Sequence, residues 1–579
     1  MCGIFFSIGF ENLPPSVIDS VAHRGPDGRG WNEFGSPNGS VVMAHRRLAI
    51  VDLSQDGHQP MFTEDRRFWV VYNGEIYNYL EIRKELEKLG HYFKTKTDTE
   101  VLLKSYLQWG EDCLHHFNGM FSFVIWDDKE KRIFAARDRF GVKPLYYYRQ
   151  GKKIACASEI KQFKCLPGWK SVLQEEMAVE YLNTGYCDHR YETLYKHVFQ
   201  VLPGHYIACQ LSFDSIELVQ WYNLRDKIKP LNIDDNEAIE KFKNLLTDAI
   251  RLRLRSDVSV GACLSGGLDS SSIVSMIRTL QDSTKEIHTF SSVFPGEAMD
   301  ESSYIDELVN QKKLTAHKNY PSFEEFLEKI DLMLYHQDLP FLGTSVFAQW
   351  KTFESAKAAR VTVLLDGQGA DESLLGYPGM LNGIIFDYAK KLNFIGVFKF
   401  LRWQSFYNNQ SVKNTFLLGL QQRSPYFYLM LLKIKNKKTS FVNNVKMPAI
   451  DDVCLWHFLN SLQTLLRYED RNSMAFSRES RLPFLDYRLV EFILSLSIQQ
   501  RFRDAKTKWI LRESMKGVNL KSILERKDKI GFSAPEDKWV KMLNEDAAFF
   551  ASKKETLNQA ILKRWLKNEK FDISGTFLC

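Results

Sequence analysis

Cysteine is sparse and unpatterned in this chain of 579 residues: there are nine, an odd number, with no CxxC pair. That scatter excludes a disulfide framework and offers no zinc-ligand spacing, and reduced thiols fit a cytosolic setting. No apolar run approaches the roughly 18 residues that span a bilayer; YFYLMLL (426–432) is far shorter. A secretory leader lacks its parts too. No Lys or Arg precedes the apolar run of MCGIFFSIGF, and Glu11 and Asn12 close it. Net charge is only +6, from 77 basic and 71 acidic residues, too small a surplus to indicate nucleic acid. The cluster KIKNKK (433–438) reads as a solvated loop. Internal repeats and low-complexity tracts are also missing. What remains is an ordinary globular composition, 44% apolar and 26% charged, long enough for two or more domains. The expectation is a soluble, cytoplasmic protein with no membrane or nucleic-acid partner.

The first third is rich in strands. SVVMAHRRLAIVDL, RRFWVVYNGEIYN, FSFVIWDD and RIFAARDRFG carry β-forming runs closed by turn residues. Helices lie between them, among them YLEIRKELEKLG with Asn78 as N-cap and Gly90 past its end. This part ends near LPGHYIACQLSFDSIELVQWYN, a hairpin-like tail, and a polar linker over 224–236 follows. The boundaries expected are residues 1–210 and 235–579. The second part opens on a helix with its apolar stripe at Ile239, Phe242, Leu246 and Ile250. VSVGACL, IHTFSSVF and VTVLLD then read as buried strands of a parallel sheet with crossover helices, whose ligands bind at the strands' carboxyl ends. Residues 379–438 read as helical and aromatic.

Ser265-Gly266-Gly267-Leu268-Asp269-Ser270 sits between a buried strand and a helix. Glycines let a backbone approach an anion, and the helix start supplies free N–H groups. A carboxylate in such a loop repels phosphate unless Mg²⁺ bridges them, so Asp269 is a metal candidate. The Walker lysine is absent. Asp366-Gly367-Gln368-Gly369-Ala370-Asp371-Glu372 follows VTVLL and adds Asp371 as a second metal candidate. Two such loops on neighbouring strands lead to the expectation of an ATP site.

Cys2 is open to two further readings, a buried thiol on a first strand or a nucleophile freed by removal of Met1. The ordered motifs favour the second: MCGI, HRGPDG (23–28), HRRLAIVD (45–52), YNGEIYN (72–78), KTDTE (96–100), RDRFGVKPLYY, SGGLDS, DGQGADE, SRLPFLD (480–486) and KDKIGFSAP. In this set and order the chain resembles the bacterial-type glutamine-hydrolysing asparagine synthetases over almost its whole length. The resemblance implies an N-terminal α+β four-layer Ntn-hydrolase sandwich and a C-terminal α/β parallel sheet of the ATP-pyrophosphatase type. It implies that Cys2 attacks the glutamine amide, with the free α-amine as base and Asn73 and Gly74 stabilising the oxyanion. Arg47 would clamp the glutamine carboxylate, Glu75 and Asp98 its ammonium group, and Leu48, Ile50 and Val51 would line the pocket. In the second domain Leu264, Ser265, Gly266, Gly267, Asp269, Ser270, Ser292, Asp366 and Gly367 would bind ATP, Asp269 and Asp371 would hold Mg²⁺, and Lys508 would stabilise charge on the reacting groups. Ammonia would attack an acyl-AMP formed from aspartate, and a homodimer is the family expectation. Plainer readings exist for single residues: Asn73-Gly74 as a hairpin turn pair, Asp98 as a helix N-cap, Arg47 as a surface arginine and Lys508 as an exposed helix lysine.

Two positions depart from the family's common loop, SGEGADE or SGEGSDE. Asp366 stands for Ser and Gln368 for Glu, and Gln368 cannot accept a proton as a carboxylate does. Either this is a tolerated variant of an asparagine synthetase, or the acceptor is another carboxylate, such as a uronic acid sugar. Arg478, where relatives carry an apolar residue, is expected in the pocket wall.

Overall fold

Residues 3–8, GIFFSI, are buried on both sides, which is why they read as one apolar run rather than an alternation. They form β1, near the centre of a sheet. A computed structural model describes residues 2–36, 39–210, 216–282, 284–381, 450–504, 506–526, 534–545 and 556–571. The stretches 379–438 and KDKIGFSAP, singled out above, fall wholly or largely outside the described residues.

The N-terminal strands are β1 (Gly3–Ile8), β2 (Gly28–Ser36), β3 (Gly39–Arg47), β4 (Met61–Phe62), β5 (Phe68–Ile76), β6 (Gly119–Asp127), β7 (Arg132–Arg137), β8 (Tyr146–Gln150), β9 (Lys153–Ala157), β10 (Val198–Gln200), β11 (His205–Gln210) and β12 (Leu218–Gln220). They make two six-stranded sheets, ordered β10-β8-β9-β1-β3-β2 and β12-β11-β7-β6-β5-β4. Ile4, Phe6, Ile8 and Met43 of the first face Val71, Val124, Trp126 and Ile207 of the second. Successive side chains of a strand point to opposite faces. Phe5, Val42 and Ala157 therefore pack outward among residues of the helical segments Ile160–Cys165 and Glu175–Thr184. Tyr72, Phe121 and Phe123 pack on helices Tyr79–Lys88 and Asp98–Trp109. The result is a four-layer α-β-β-α sandwich. Asn78 precedes its helix as expected but makes no capping bond; its amide instead pins the 116–118 turn, accepting from the Asn118 N–H at 2.8 Å and donating to the His116 carbonyl at 2.9 Å.

The C-terminal half carries β13 (Val260–Cys263), β14 (His288–Ser292), β15 (Thr315–Asn319), β16 (Val363–Leu365) and β17 (Glu479–Arg481) in a parallel sheet ordered β15-β14-β13-β16-β17. From β13 the chain steps one way to β14 and β15, then returns to the other side of β13 for β16. The loops after β13 and β16 thus flank a topological switch point, where a crevice opens at the strand ends. The segment read as a linker is partly ordered. Leu224–Lys227 is a helical turn, and the Leu231 N–H donates to the Ser495 carbonyl at 2.9 Å.

The two halves share a core and a set of buried charges. Leu48, Ile50, Met120 and Phe140 belong to the same apolar cluster as Phe242, Leu264 and Leu466. Arg467, on helix Ser461–Ala475, holds the buried Asp188 at 2.8 and 3.0 Å. Removing one partner of a buried pair strands the other charge. Arg467→Ala is expected to lower the unfolding free energy by about 3–5 kcal/mol in urea titrations; a loss under about 1 kcal/mol would contradict this packing.

Candidate active site

Cys2 lies just before β1 and is buried. Its backbone N–H donates to Asn73 Oδ1 at 2.9 Å, and its carbonyl accepts from Arg24 Nε at 2.9 Å. Burial pushes the thiol above its ordinary value, against the pull of the chain's amino terminus, the Leu48 amide and Arg47. Asn73 and Gly74 lie inside β5 opposite Ser122 and Phe121, so they are not a hairpin turn. With Oδ1 occupied, Asn73 Nδ2 is buried and has no hydrogen-bond partner among the described residues. The Tyr72 and Ile76 amides point off the sheet, to Gln59 at 2.7 Å and Asp98 at 2.9 Å. Strand alternation puts the Gly74 amide on that same edge. Asn73 Nδ2 beside Cys2 and the Gly74 N–H at the strand edge are donors of the kind a developing oxyanion requires.

Arg47 ends β3 and is buried, not a surface arginine. Its guanidinium donates to the carbonyls of Ser54 and Asp52, and Asp52 takes a left-handed φ of 59° in the turn that presents one of them. Gly57 closes this seat: a Cβ there would lie 2.1 Å from Arg47 Nη2. Asp98 is the first residue of its helix, and Thr97 is the cap. Asp98 Oδ2 accepts from the Tyr72 hydroxyl at 2.7 Å. Glu75 is buried, 3.3 Å from Arg481 of β17. Burial, followed by the nearby Asp98, holds the Glu75 carboxyl well above the usual range, against the pull of Arg481. Glu75 Oε1 has no hydrogen-bond partner among the described residues, an acceptor suited to an ammonium group. Leu48, Ile50 and Val51 place their side chains in or against the shared core.

At the switch point, Gly267 precedes helix Leu268–Leu280. Ser265 Oγ accepts from the Gly267 N–H at 3.3 Å and lies 3.1 Å from Ser270 Oγ. Leu264 is buried, and Gly266 takes a left-handed φ of 80°. The Ser292 hydroxyl is committed to Asn319 at 2.6 Å and the Ala348 carbonyl at 2.7 Å. Gly367 lets the second loop close on the first, since a Cβ there would stand 3.2 Å from Asp269 Cβ. Lys508, itself at a left-handed φ of 56°, is buried; its ammonium bridges Asp269 and, at 2.6 Å, Asp371. It is not an exposed helix lysine. Asp269 Oδ1 is buried with no hydrogen-bond partner among the described residues. An orphaned carboxylate oxygen beside a glycine loop suits a divalent cation that is shared with phosphates.

Sequence reasoning missed several residues. Arg24 ties Cys2 to the second domain through Asp470, Tyr72 orients Asp98, and the buried Glu469, which raises no local signal of its own, accepts from Ser480 of β17 and from Gln349. Arg24 stood in a quoted motif; Glu469 had only its neighbourhood to SRLPFLD as a signal. Arg478 is misplaced: it donates to the Val361 carbonyl at 3.1 Å, before β16 begins. That is the end of the sheet opposite the loops, so it forms no wall of their crevice.

A buried thiol beside an unspent amide in one domain and paired carboxylate loops at a switch point in the next suit a glutamine amidotransferase fused to a nucleotide-dependent synthase. Comparison with known proteins agrees. Residues 1–222 match the glutamine amidotransferase domain family and residues 241–572 the asparagine synthase family. A putative glutamine-hydrolysing asparagine synthetase 2 of Methanocaldococcus jannaschii is 40% identical over 69% of this chain and 79% of its own. Asparagine synthetase 3 of Bacillus subtilis is 29% identical over 100% and 94%. Amidase chry2 of Gibberella zeae is 27% identical over 87% and 82%. The chain belongs to the glutamine-hydrolysing asparagine synthetase family.

His45, on β3 beside Arg47, is buried within 3.2 Å of the Tyr72 carbonyl. Burial drives its imidazole down to about 3 from the ordinary 6.5. The folded state thus resists a proton that the unfolded chain accepts, so stability is full above about pH 6.5 and declines as pH falls toward 3. Between pH 7 and 5 the wild type should lose about 2 kcal/mol more than His45→Gln in urea titrations; equal losses would show that His45 is not held neutral.

Proposed function

We propose that the protein makes asparagine from aspartate, ATP and glutamine in the cytoplasm, through an acyl-AMP. The observation that carries this reading is the coexistence, in one chain, of Cys2 set against the unspent Asn73 amide and of Asp269, Asp371 and Lys508 gathered at the switch point. Once Met1 is removed, the Cys2 nitrogen at Asn73 Oδ1 becomes an α-amine, whose ordinary pKa near 8 suits a general base. It takes the thiol proton, and the thiolate attacks the glutamine amide. Asn73 Nδ2 and the Gly74 N–H receive the oxyanion. Arg47 binds the glutamine carboxylate, and Glu75 and Asp98 its ammonium group. The α-ammonium returns that proton to the amide nitrogen as the C–N bond breaks, ammonia departs, and water hydrolyses the thioester to glutamate.

In the second domain the backbone of 264–267 and the start of helix Leu268–Leu280 cradle the phosphates, with Ser270, Ser292, Asp366 and Gly367 around the nucleotide. Mg²⁺, held by Asp269 and Asp371, would offset charge on the pyrophosphate. Lys508 steadies the reacting carboxylate and α-phosphate. A different acceptor, such as a uronic acid sugar, keeps the same machinery; Asp366 and Gln368 in the second loop are the feature that favours it.

Pyrophosphate release with Mg-ATP and glutamine, measured with and without aspartate and with the product weighed by mass spectrometry, tests the acceptor. Aspartate-dependent release with asparagine formed is expected; glutamine hydrolysis with no aspartate-dependent release would overturn it. Cys2→Ala should abolish glutamine use, a loss of at least about 1,000-fold, and leave ammonia-dependent synthesis intact. Loss of both in a folded protein would refute separate sites.

A further inference from the structure

A loop that grips phosphate works best when its N–H groups face the ligand before the ligand arrives. Gly266-Gly267 is poorly able to hold such a shape alone, since neither residue carries a Cβ to restrict its backbone. The bonds the loop makes within itself are long. The Ser265 N–H reaches Ser270 Oγ at 3.2 Å, the Gly267 N–H reaches Ser265 Oγ at 3.3 Å, and Ser270 Oγ reaches the Gly267 carbonyl at 3.4 Å. Ordinary bonds of these kinds are about 2.7–3.0 Å. The shape of the loop therefore needs support from outside it.

Arg526 supplies that support. It follows the helical turn Lys521–Leu524, and its Nη1 donates to the Gly266 carbonyl at 3.0 Å. The guanidinium is buried. The same Nη1 donates to Glu301 Oε1 at 2.5 Å, and the guanidinium carbon stands 4.1 Å from the centroid of the Tyr304 ring. Glu301 leads into helix Ser302–Lys312 and presses on the loop: a Cβ on Gly266 would stand 3.0 Å from Glu301 Cβ and 3.2 Å from its carbonyl oxygen. The segment that carries Arg526 is seated on two helices. Asn519 Nδ2 donates to Ser272 Oγ of helix Leu268–Leu280 at 3.3 Å, the Ser522 hydroxyl donates to Glu307 of helix Ser302–Lys312 at 2.8 Å, and Leu520 and Ile523 are buried. A trans peptide carries its C=O and N–H on opposite sides. With the Gly266 carbonyl turned to Arg526, the Gly267 N–H of the same peptide is turned away from it, to the Ser265 side. Rotation of that peptide would instead set a carbonyl dipole against the phosphates. Arg526 is buried and its charge is offset by Glu301, so it acts on the loop and not on the ligand.

We propose that Arg526 is a positioning residue for the pyrophosphate moiety of ATP: by holding the Gly266 carbonyl it fixes the Gly266–Gly267 peptide with its N–H on the phosphate side, and Glu301 holds Arg526 there. The proposal rests on the assignment of Mg-ATP to this loop given above. The loop grips the phosphates alike before and during adenylation, so loss of the clamp weakens binding more than it slows turnover. The nucleoside end, around Ser292, Asp366 and Gly367, makes no use of it.

Calorimetric titration of the full chain tests it, with Mg-pyrophosphate and AMP as separate probes. Arg526→Met keeps an unbranched side chain and loses the donor. It should bind Mg-pyrophosphate about 10- to 100-fold more weakly than the wild type, and AMP within about threefold. Because this change strands the buried Glu301 carboxylate, the double variant Arg526→Met, Glu301→Gln is measured beside it and should show the same selective loss. Glutamine hydrolysis by the other domain reports that each variant is folded. In steady state with Mg-ATP, aspartate and ammonium chloride, KM for ATP should rise by about 10-fold or more while kcat changes less than about threefold. Wild-type affinity for Mg-pyrophosphate in the folded double variant, an equal weakening of pyrophosphate and AMP, or an unchanged KM for ATP would each overturn the clamp. If the wild type itself binds neither Mg-pyrophosphate nor Mg-ATP, the nucleotide reading fails and the clamp falls with it. Should aspartate prove not to be the acceptor, the calorimetric contrast decides alone.

Discussion

One guanidinium holds the molecule's two chemistries in register. Arg24 donates to the Cys2 carbonyl, to Glu159 at 2.8 Å and to Asp470 at 2.8 and 3.0 Å, and it is fully buried. Asp470 comes from the second domain, as do Arg471 and Asp338, which extend the cluster to Lys161. Ions this deep are tolerable only when each is matched and every remaining proton and lone pair finds a partner. The match here is distributed: each half supplies both signs, and the pairs Arg24–Asp470, Arg471–Glu159 and Lys161–Asp338 cross between the halves. The backbone of Cys2 is therefore held by a guanidinium whose charge is met in part from the second domain.

The same economy appears at β17. This three-residue strand contributes Arg481, whose side chain reaches Glu75 in the glutaminase site and pairs with Glu479. Its carbonyl takes the Asp366 N–H at the head of the synthetase loop. Ser480, between them, bonds Glu469. Side chains alternate along a strand, so a single short segment addresses the glutaminase site with its odd-numbered residues and turns Ser480 the other way, to Glu469.

Much of this was legible in advance, and the pattern of what was not is physical. Strands such as VSVGACL and VTVLLD, the loops after them and the helix stripe at 239–250 are local signals, and they lie where periodicity and glycine placed them. Asn73-Gly74 misleads because a turn preference is only a prior, which sheet pairing with Ser122 and Phe121 overrides. Asn78 keeps its place before a helix but spends its amide elsewhere, since capping competes with any nearby orphaned backbone group. Arg478 and Glu469 exchange the importance that sequence alone assigns. One is adjacent to a motif yet folds to the far end of β16, while the other, more than a hundred residues after Gln349, meets it only through the packing of helix Ser461–Ala475. Contacts of that range leave no local trace.

The distributed charge cluster also constrains how such a protein can change over evolutionary time. Multidomain enzymes are often reshuffled by cutting at the linker, here between β12 and the helix beginning at Asp235. A cut at that place would part Arg24 from Asp470 and Arg467 from Asp188, leaving each half to expose or neutralise ions that water had never reached. Recombination with a foreign partner would meet the same mismatch unless the partner carried the complementary set. The joint between the two catalysts is thus inherited as a unit, and drift in either half is policed by the other.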